Sequence, residues 1–243
     1  MISTMRSEII CEANKNDAYN KQELHDWYRR EMKSIEAETK DLMFNVKHPW
    51  EYCSKTHDSS VQRMRAESSG LTVFRCDLRL NMDVEEISRR AHPLSPHRGK
   101  WDSQVQRSHL LDTFDQNTML IRHTSKPVMM GLVSARDTIL LVKCEVLPEG
   151  RLISCGSIEH PNHPPQPGYV RAWSYPAGLW IQRTESAQQS LARSLFHADI
   201  KLSLLPLSVV DKVIPYGCNT FISDLRKLPA LKSEHHPQLI GFP

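Results

Sequence analysis

Apolar residues recur at helical spacing near the start of the chain, between residues 20 and 44. They are Leu24, Tyr28, Met32, Ile35 and Leu42, with charged residues at most positions between them. One apolar stripe on a polar background is typical of a helix that packs on one side only. Pro49 bounds the segment, so we predict a helix over 20–44.

After this helix the pattern changes to short apolar or alternating segments, which are typical of β-strands. A short helix is predicted at 83–90, because its first residue, Asp83, is a suitable N-cap. Three of the predicted strands precede this helix and six follow it. The predicted strands are 51–53, 61–65, 71–80, 105–112, 118–124, 138–147, 151–159, 168–181 and 191–199. Turn residues at 148–150 predict a hairpin. Successive hairpins indicate an antiparallel sheet.

Helical spacing returns near the end of the chain. Residues that share one face are Val210, Ile214, Phe221, Leu225 and Leu228, and Pro229 ends the pattern. Pro215 lies inside it, and a proline in a helix interior costs about 3 kcal/mol. We therefore expect a regular helix that begins near Pro215, or a first part that forms a separate turn. With helices at both ends of one sheet, the predicted fold class is α+β in a single domain.

Composition narrows the functional classes. The 243 residues carry a formal net charge of +3 and are 40% hydrophobic, which is typical of a globular protein with a sizeable core. The sequence has no basic block, so a nucleic-acid partner is not expected. The longest apolar run, 127–133, is far shorter than the roughly 20 residues that a membrane-spanning helix needs. The start of the chain has no signal-peptide pattern, and the expected location is cytoplasmic.

The six cysteines lie far apart in the sequence, without a CxxC pair, which is typical of free thiols in a reducing compartment. Neither a GxSxG elbow nor a phosphate-binding loop is present. His160 and His163 lie in a proline-rich loop and are interpreted as structural. We expect no catalytic residue, no metal and no cofactor.

The residue types in the segment 170–178 bear on the function of the protein. Strand alternation predicts that Val170, Ala172 and Ser174 face inward, and that Arg171, Trp173 and Tyr175 face away. An inner face of small, neutral residues covered by an apolar C-terminal helix favours a container for an apolar ligand over a catalytic site.

Five sets of residues, in this order, then match a known family. They are Lys100-Trp101-Asp102; Ser134-Ala135-Arg136-Asp137; Glu159-His160-Pro161 with Gly168-Tyr169-Val170-Arg171-Ala172; Phe196-His197-Ala198-Asp199; and Val209-Val210-Asp211 through Phe221-Ile222-Ser223-Asp224-Leu225. From about Trp50 to Leu228 the chain resembles the StAR-related lipid transfer (START) domains, most closely the small stand-alone cytosolic branch that carries sterols and bile acids. The resemblance implies a helix-grip fold: a long, curved antiparallel sheet wrapped around the C-terminal helix, enclosing one lipid.

The chain departs from the family pattern in two places. The segment 201–204 has one extra residue where relatives have a glycine and an aromatic residue. Relatives also place an acid and a base in the cavity where this chain has His123 and Val142. The second departure leaves the identity of the ligand open.

Alternation and resemblance together give a set of expected ligand-binding residues. These are Asp102, Gln104, His123, Met129, Leu132, Val142, Val170, Ala172, Ser174, Val213 and Phe221. For His123 the alternative is a core histidine bonded to backbone, and for Asp102 it is a cap at a strand edge. Trp101, Arg136 and Asp137 are expected to be structural, the last two as a charge pair at a strand start.

The predicted function is a non-enzymatic, monomeric carrier that holds one sterol or bile-acid-like steroid and touches membranes transiently. A carrier of a phospholipid or fatty acyl ligand is the first alternative. A helix-grip hydrolase or cyclase that uses His123 and Asp102 is the second. If His123 keeps an ordinary pKa near 6.5, ligand binding is expected to respond to mild acid.

The expected organisation is a flexible extension at 1–18, a START-like domain at 19–229 and a peripheral tail at 230–243. The apolar loop at 129–132 is interpreted as an entrance loop, with plain core packing as the alternative. We expect this loop and the start of the C-terminal helix, near Ser208, to form the gate of the cavity.

Overall fold

The structure is a computed structural model and describes residues 19–202, 207–228 and 239–242. The helices there are α1 (Tyr19–Phe44), α2 (Val84–Ala91), α3 (Arg98–Trp101) and α4 (Leu207–Leu225), with a 3₁₀ turn at Met129–Gly131. The strands are β1 (Glu51–Lys55), β2 (Ser59–Arg65), β3 (Thr72–Leu80), β4 (Val105–Thr113), β5 (Thr118–Ser125), β6 (Arg136–Leu147), β7 (Gly150–Ser157), β8 (Val170–Arg171), β9 (Trp173–Ser174), β10 (Ala177–Arg183), β11 (Ser190–Phe196) and β12 (Ala198–Asp199).

One antiparallel sheet dominates the fold. Its strands follow the order β1-β2-β3-β11-β10-β7-β6-β5-β4, and β8 adds a short parallel pairing with β6. Strand β3, which precedes α2 in the sequence, pairs with β11, which follows it. The strands on both sides of α2 in the sequence therefore belong to one sheet. The predicted α+β fold class is confirmed.

The register of the sheet fixes which residues share its inner face. His123 lies opposite Thr138, and Ile121 lies opposite Leu140. Because opposed residues of antiparallel strands point to the same side, these four form one patch of the inner face. Val142 extends the patch along β6, since side chains two residues apart share a face.

Helix α1 covers the outer face of the sheet. Its buried residues Tyr28, Met32 and Ile35 pack in one apolar cluster with Leu120, Ile139 and Leu141, which alternate with the inner-face residues along β5 and β6. Ion pairs complete the contact, including Lys143 Nζ to Glu36 Oε2 at 2.6 Å. The predicted amphipathic stripe of this helix is therefore its contact with the sheet.

Helix α4 packs across the inner face. Cys218, Phe221, Ile222 and Leu225 are buried in the main apolar cluster of the protein. The helix runs without a break through Pro215, so the expectation that it begins near that proline is wrong. The missing N–H of Pro215 removes one backbone hydrogen bond, but the residues from Cys218 to Leu225 pack in the main apolar cluster and support the helix.

Two predicted strands are interrupted. The segment 168–181 divides into β8, β9 and β10, and 191–199 divides into β11 and β12 at His197. β8 pairs with β6, whereas β9 pairs with β12 in a second, two-stranded sheet. At the end of β9 the Ser157 hydroxyl accepts the Ser174 N–H at 2.8 Å. Pro176 has no N–H to contribute to a ladder just before β10. Side-chain alternation therefore cannot be carried from residue 170 to residue 178.

The end of the chain is not wholly peripheral, contrary to prediction. Phe242 is only 3% exposed and lies in the main apolar cluster. The predicted flexible extension 1–18 and most of the predicted tail lie outside the described residues. So do residues 203 and 204 of the segment 201–204, which departs from the family pattern. Lys201, at the start of that segment, has a φ of +54°.

Candidate ligand cavity

A cavity of about 370 Å³ lies between the inner face of the sheet, α4 and the loop that joins β5 to β6. Apolar side chains make up much of its wall. Those from the sheet and α4 are Ile121, Leu140, Val142, Ile153, Leu179, Leu195, Phe196, Val213, Ile214 and Phe221. Small-molecule sites are about 300–1,000 Å³ and mostly apolar, so this cavity matches a site for one compact ligand.

Most of the predicted ligand-binding residues meet at this cavity. Those on its wall are Asp102, Gln104, His123, Val142, Ala172, Ser174, Val213 and Phe221. They come from three strands, from the C-terminal helix α4 and from loops that are distant in sequence. Arg171, Trp173 and Tyr175 are not part of the wall, as alternation predicted.

Val170 does not line the cavity, and its predicted place is wrong. It is 36% exposed, and it pairs in parallel with Arg136 at the start of β6. The prediction extended the alternation of one long strand, but this strand is interrupted between β8 and β9. Ala172, at that interruption, and Ser174, in β9, do line the cavity.

The entrance-loop residues Met129 and Leu132 also lie off the wall, whereas Val128 and Val133 line it. The backbones of Val128 and Val133 bond to each other at 2.9 Å and 3.3 Å, which closes the neck of the loop. The turn beyond the neck is left-handed, with φ of +52° at Met129 and +55° at Met130. This turn directs Met130 and Leu132 into solvent.

The neck of the loop contacts α4. Val133 and Val213 are buried together with Leu202, and Val128 and Met129 pack against them. The predicted contact between the loop and the C-terminal helix therefore exists. On the loop it is made by Val128, Val133 and Met129, whereas Met130 and Leu132 point into solvent.

A buried ion pair forms the polar part of the wall. Arg98 Nη2 lies 2.7 Å and Nε 2.9 Å from Asp102 Oδ2, and Arg98 Nη1 donates to the Ala91 carbonyl at 2.6 Å. The guanidinium also lies over the ring of Trp101, 4.8 Å from its centroid. Sequence reasoning found Asp102 but missed Arg98, because the four-residue helix α3 that spaces the two residues carries no clear pattern.

His123 is a neutral group in this wall. Its Nδ1 lies 2.9 Å from the Ser108 hydroxyl on the neighbouring strand. Burial lowers the pKa of His123 to about 4, and the positive charge of Arg98 acts in the same direction. The expected response of ligand binding to mild acid, which assumed an ordinary pKa, is therefore corrected: His123 stays neutral well below pH 6.

The enzymatic alternative depended on His123 acting with Asp102. Both carboxylate oxygens of Asp102 bond to groups other than His123. Oδ2 accepts from Arg98, and Oδ1 accepts the Gln104 N–H at 3.1 Å. Asp102 thus does not orient the imidazole as an acid–base partner does in a nucleophilic site.

Gln104 connects the wall to the covering helix. Its side-chain Nε2 donates to the Gly217 carbonyl of α4 at 3.0 Å. A side chain at position 217 would meet Gln104, since an added Cβ would lie 3.0 Å from Oε1. Gln104 therefore lines the cavity and also holds α4 in place.

The predicted charge pair between Arg136 and Asp137 does not form. Asp137 is fully buried and accepts from Arg171 at 2.8 Å and 3.0 Å. Arg136 lines the cavity, is 9% exposed, and donates to the Ile200 carbonyl at 3.1 Å and to Ser134. Neighbours on a strand point to opposite faces, which separates the two side chains.

Trp101 is buried and donates to the Arg90 carbonyl at 3.0 Å.

The described residues contain no group of three or more His, Cys, Asp or Glu side chains placed to hold a metal ion. Over the same part of the chain, none of the helices is both long and apolar enough to cross a membrane.

Comparison with known families decides the assignment. A family model described as START domain matches residues 33–230, which contain the whole cavity wall described above. The chain belongs to the START domain family. The helix-grip architecture expected from the resemblance is thus confirmed for this START domain.

Curated relatives of this START domain are named lipid transfer proteins. Human StAR-related lipid transfer protein 5 is 30% identical over 192 residues, which cover 76% of this chain and 87% of that protein. Human StAR-related lipid transfer protein 4 is 26% identical over 180 residues, covering 73% and 85%.

Solved START structures have the same fold. Human StAR-related lipid transfer protein 5 aligns with a TM-score of 0.77 at 22% identity, over 84% of this chain and 96% of that one. Human STARD10 aligns with a TM-score of 0.65 at 21% identity, over 80% of each chain.

Proposed function

We propose that this START domain is a non-enzymatic, cytoplasmic carrier that encloses one sterol or bile-acid-like steroid and moves it between membranes. The observation that carries the proposal is a largely apolar cavity of about 370 Å³ with a compact polar corner of Arg98, Asp102 and His123. Apolar burial supplies affinity, at roughly 25 cal/mol per Å² removed from water. The polar corner then fixes the orientation of the ligand.

The size of the cavity supports a steroid over a phospholipid. A steroid is one rigid, compact body, whereas a diacyl phospholipid brings two long chains and a charged headgroup. A volume near the lower end of the range for small-molecule sites suits the first of these. A rigid ligand also loses less conformational entropy on binding than a flexible chain does.

Arg136 favours a steroid with an acidic group among the candidates. Arg98 is neutralised by Asp102, but the hydrogen bonds of Arg136 go to the Ile200 carbonyl and to Ser134. Burial lowers the pKa of Arg136, as it does for a cation removed from water. None of the described carboxylates forms an ion pair with Arg136, and a ligand carboxylate near this guanidinium would supply the counter-charge. This favours a bile-acid-like steroid over a neutral sterol.

The proposed gate is the contact between the valine neck and α4. Val128 and Val133 face Val213 across one small apolar cluster, so separating them would open the wall of the cavity. Met130 and Leu132 are exposed beyond the neck and offer apolar side chains to a membrane surface. We propose that contact with the bilayer loosens this cluster and admits the ligand.

A transfer assay tests the proposal. Donor vesicles of phosphatidylcholine that carry a labelled sterol or a labelled bile acid are mixed with acceptor vesicles and with purified protein. The proposal predicts faster transfer of a steroid with the ligand left chemically unchanged. Faster transfer of phosphatidylcholine alone, or a covalently altered steroid, would contradict it.

A further inference from the structure

The last described residues of the chain fold back against the lipid-binding core. Phe242 belongs to the same apolar cluster as the cavity residues Ile121, Val142 and Phe221. We propose that residues 239–242, which we name the C-terminal hook, close one end of the cavity, so that Phe242 limits the length of the lipid that fits. This inference rests on the proposed carrier function and adds a specificity-determining residue to it.

The hook covers the inner face where the cavity stops. Cys144 lies directly opposite Ile153 on the neighbouring strand. Ile153 lines the cavity, but Cys144 does not. Cys144 is covered instead by Gly241, where an added Cβ would lie 2.5 Å from Cys144 Cβ and 2.7 Å from its carbonyl oxygen. None of the hook residues lines the cavity itself. The hook thus lies on the inner face of the sheet just beyond Val142, the last residue of β6 that lines the cavity.

Several contacts fix the hook in this place. Gly241 has a φ of +80°, a conformation that favours glycine, and the Phe242 N–H donates to the Leu239 carbonyl at 3.2 Å. His92 Nε2 donates to the Ile240 carbonyl at 3.0 Å, and its ring meets Phe242 edge-on at 5.8 Å. His92 lies between Ala91 and Pro93, which both line the cavity. The residue that holds the hook, His92, is therefore the direct sequence neighbour of two residues of the cavity wall.

The hook is a feature of this chain outside the family match. That match ends at residue 230, whereas the hook begins at residue 239. A limit on ligand length set by Phe242 would therefore be a property of this protein, added to a wall that the START domain supplies.

Two series of probes test the limit, with binding measured by displacement of a fluorescent sterol or fatty acid. One contains 3β-hydroxyandrost-5-ene, cholesterol and a cholesterol analogue with a lengthened side chain. The other contains straight-chain alcohols of increasing length. The variants are Phe242→Ala, which shortens the stopper, and Gly241→Ala, which displaces the hook from Cys144. Leu239→Ala, a change in the same segment but outside the main apolar cluster, is the matched control.

We expect the wild type and Leu239→Ala to reject the longest members of a series. Phe242→Ala and Gly241→Ala should raise affinity for those members about tenfold relative to the short ones, the discrimination typical of a single extra or missing methylene in a pocket. If Phe242 had a structural role alone, the variants would bind all probes more weakly and the ratio of long-probe to short-probe affinity would not change. That result would overturn the inference. A wild type that binds long and short probes equally would also overturn it.

The two proposals fail in different ways. If sterols do not bind but alcohols do, the steroid carrier is wrong and the alcohol series still tests the hook. If Phe242→Ala does not fold, a wild-type photolabel decides: cholesterol with a diazirine at the end of its side chain should label Phe242 or the wall residues nearest the hook, Ala91, Pro93 and Ile153. Cholesterol has no carboxylate to pair with Arg136, so labelling confined to residues around Arg136 would place its side chain at the other end and refute the hook as the limit on ligand length.

Discussion

Arg98 and Asp102 form an ion pair of 2.7 Å in the cavity wall, where the Asp102 side chain is only 2% exposed. The two charges cancel, so this corner can present a donor and an acceptor to a ligand without adding net charge to the cavity. A buried pair of this kind is costly to break from one side, because the remaining charge is left without a partner in a poorly solvated place.

The first prediction concerns this pair. Asp102→Asn should lower the free energy of unfolding by about 3 kcal/mol, because it leaves the Arg98 guanidinium without its counter-charge. Urea unfolding measures the effect. Asp199→Asn is the control, since it breaks the exposed pair with Lys201 and should cost less than about 1 kcal/mol. Equal losses in the two variants would show that Arg98 is well solvated.

His123 is predicted to contact a polar group of the ligand. His123→Leu should weaken binding of a hydroxylated steroid by about 0.5–1.5 kcal/mol, the typical worth of one hydrogen bond. The analogue without the hydroxyl should bind the variant and the wild type alike. A ligand-displacement titration of both analogues measures this. An equal loss for the two would make His123 a packing residue.

The depressed pKa of His123 also predicts how stability depends on pH. The histidine takes up a proton near pH 6.5 when unfolded, but only near pH 4 when folded. The unfolded state therefore binds more protons between these values, and stability present above pH 6.5 should be lost as the pH falls toward 4. His123→Leu should flatten this decline.

Comparison with the wild type isolates His123 in that experiment. Burial also lowers the pKa of His92 and His160 to about 4, so the wild-type curve contains their contributions as well. Only the difference between the two curves reports on His123. Parallel curves from pH 7 to pH 4 would mean that His123 titrates normally in the folded protein.

The sequence predicted the sheet, the first helix and much of the cavity wall, because these depend on local periodicity. It could not place Val170, because β8 pairs with β6 whereas β9 pairs with β12 in a second sheet, and both partners are distant in sequence. Nor could it pair Asp137 with Arg171, or bring Phe242 onto the core, because both contacts depend on the final packing. The continuity of α4 through Pro215 likewise depends on tertiary support.

The gate can be tested by crosslinking. Met130 is fully exposed and does not face α4, so Val133→Cys with Val213→Cys is the suitable pair, since both side chains are buried in one cluster. In a background without native cysteines, oxidation should stop transfer between vesicles, and reduction should restore it. The single-cysteine variants should be unaffected by oxidation. Undiminished transfer by the oxidised pair would place the entrance elsewhere.

The central claim is that this cavity holds one intact steroid, and lipid identification by native mass spectrometry tests it most directly. Protein extracted from its native cells is compared as wild type, Ala172→Trp and Val170→Trp. Ala172 lines the cavity and Val170 does not, so the two changes add the same side chain inside and outside the wall. We predict one bound steroid per chain in the wild type and in Val170→Trp, and none in Ala172→Trp. A phospholipid in the wild type, or a steroid retained by folded Ala172→Trp, would contradict the claim.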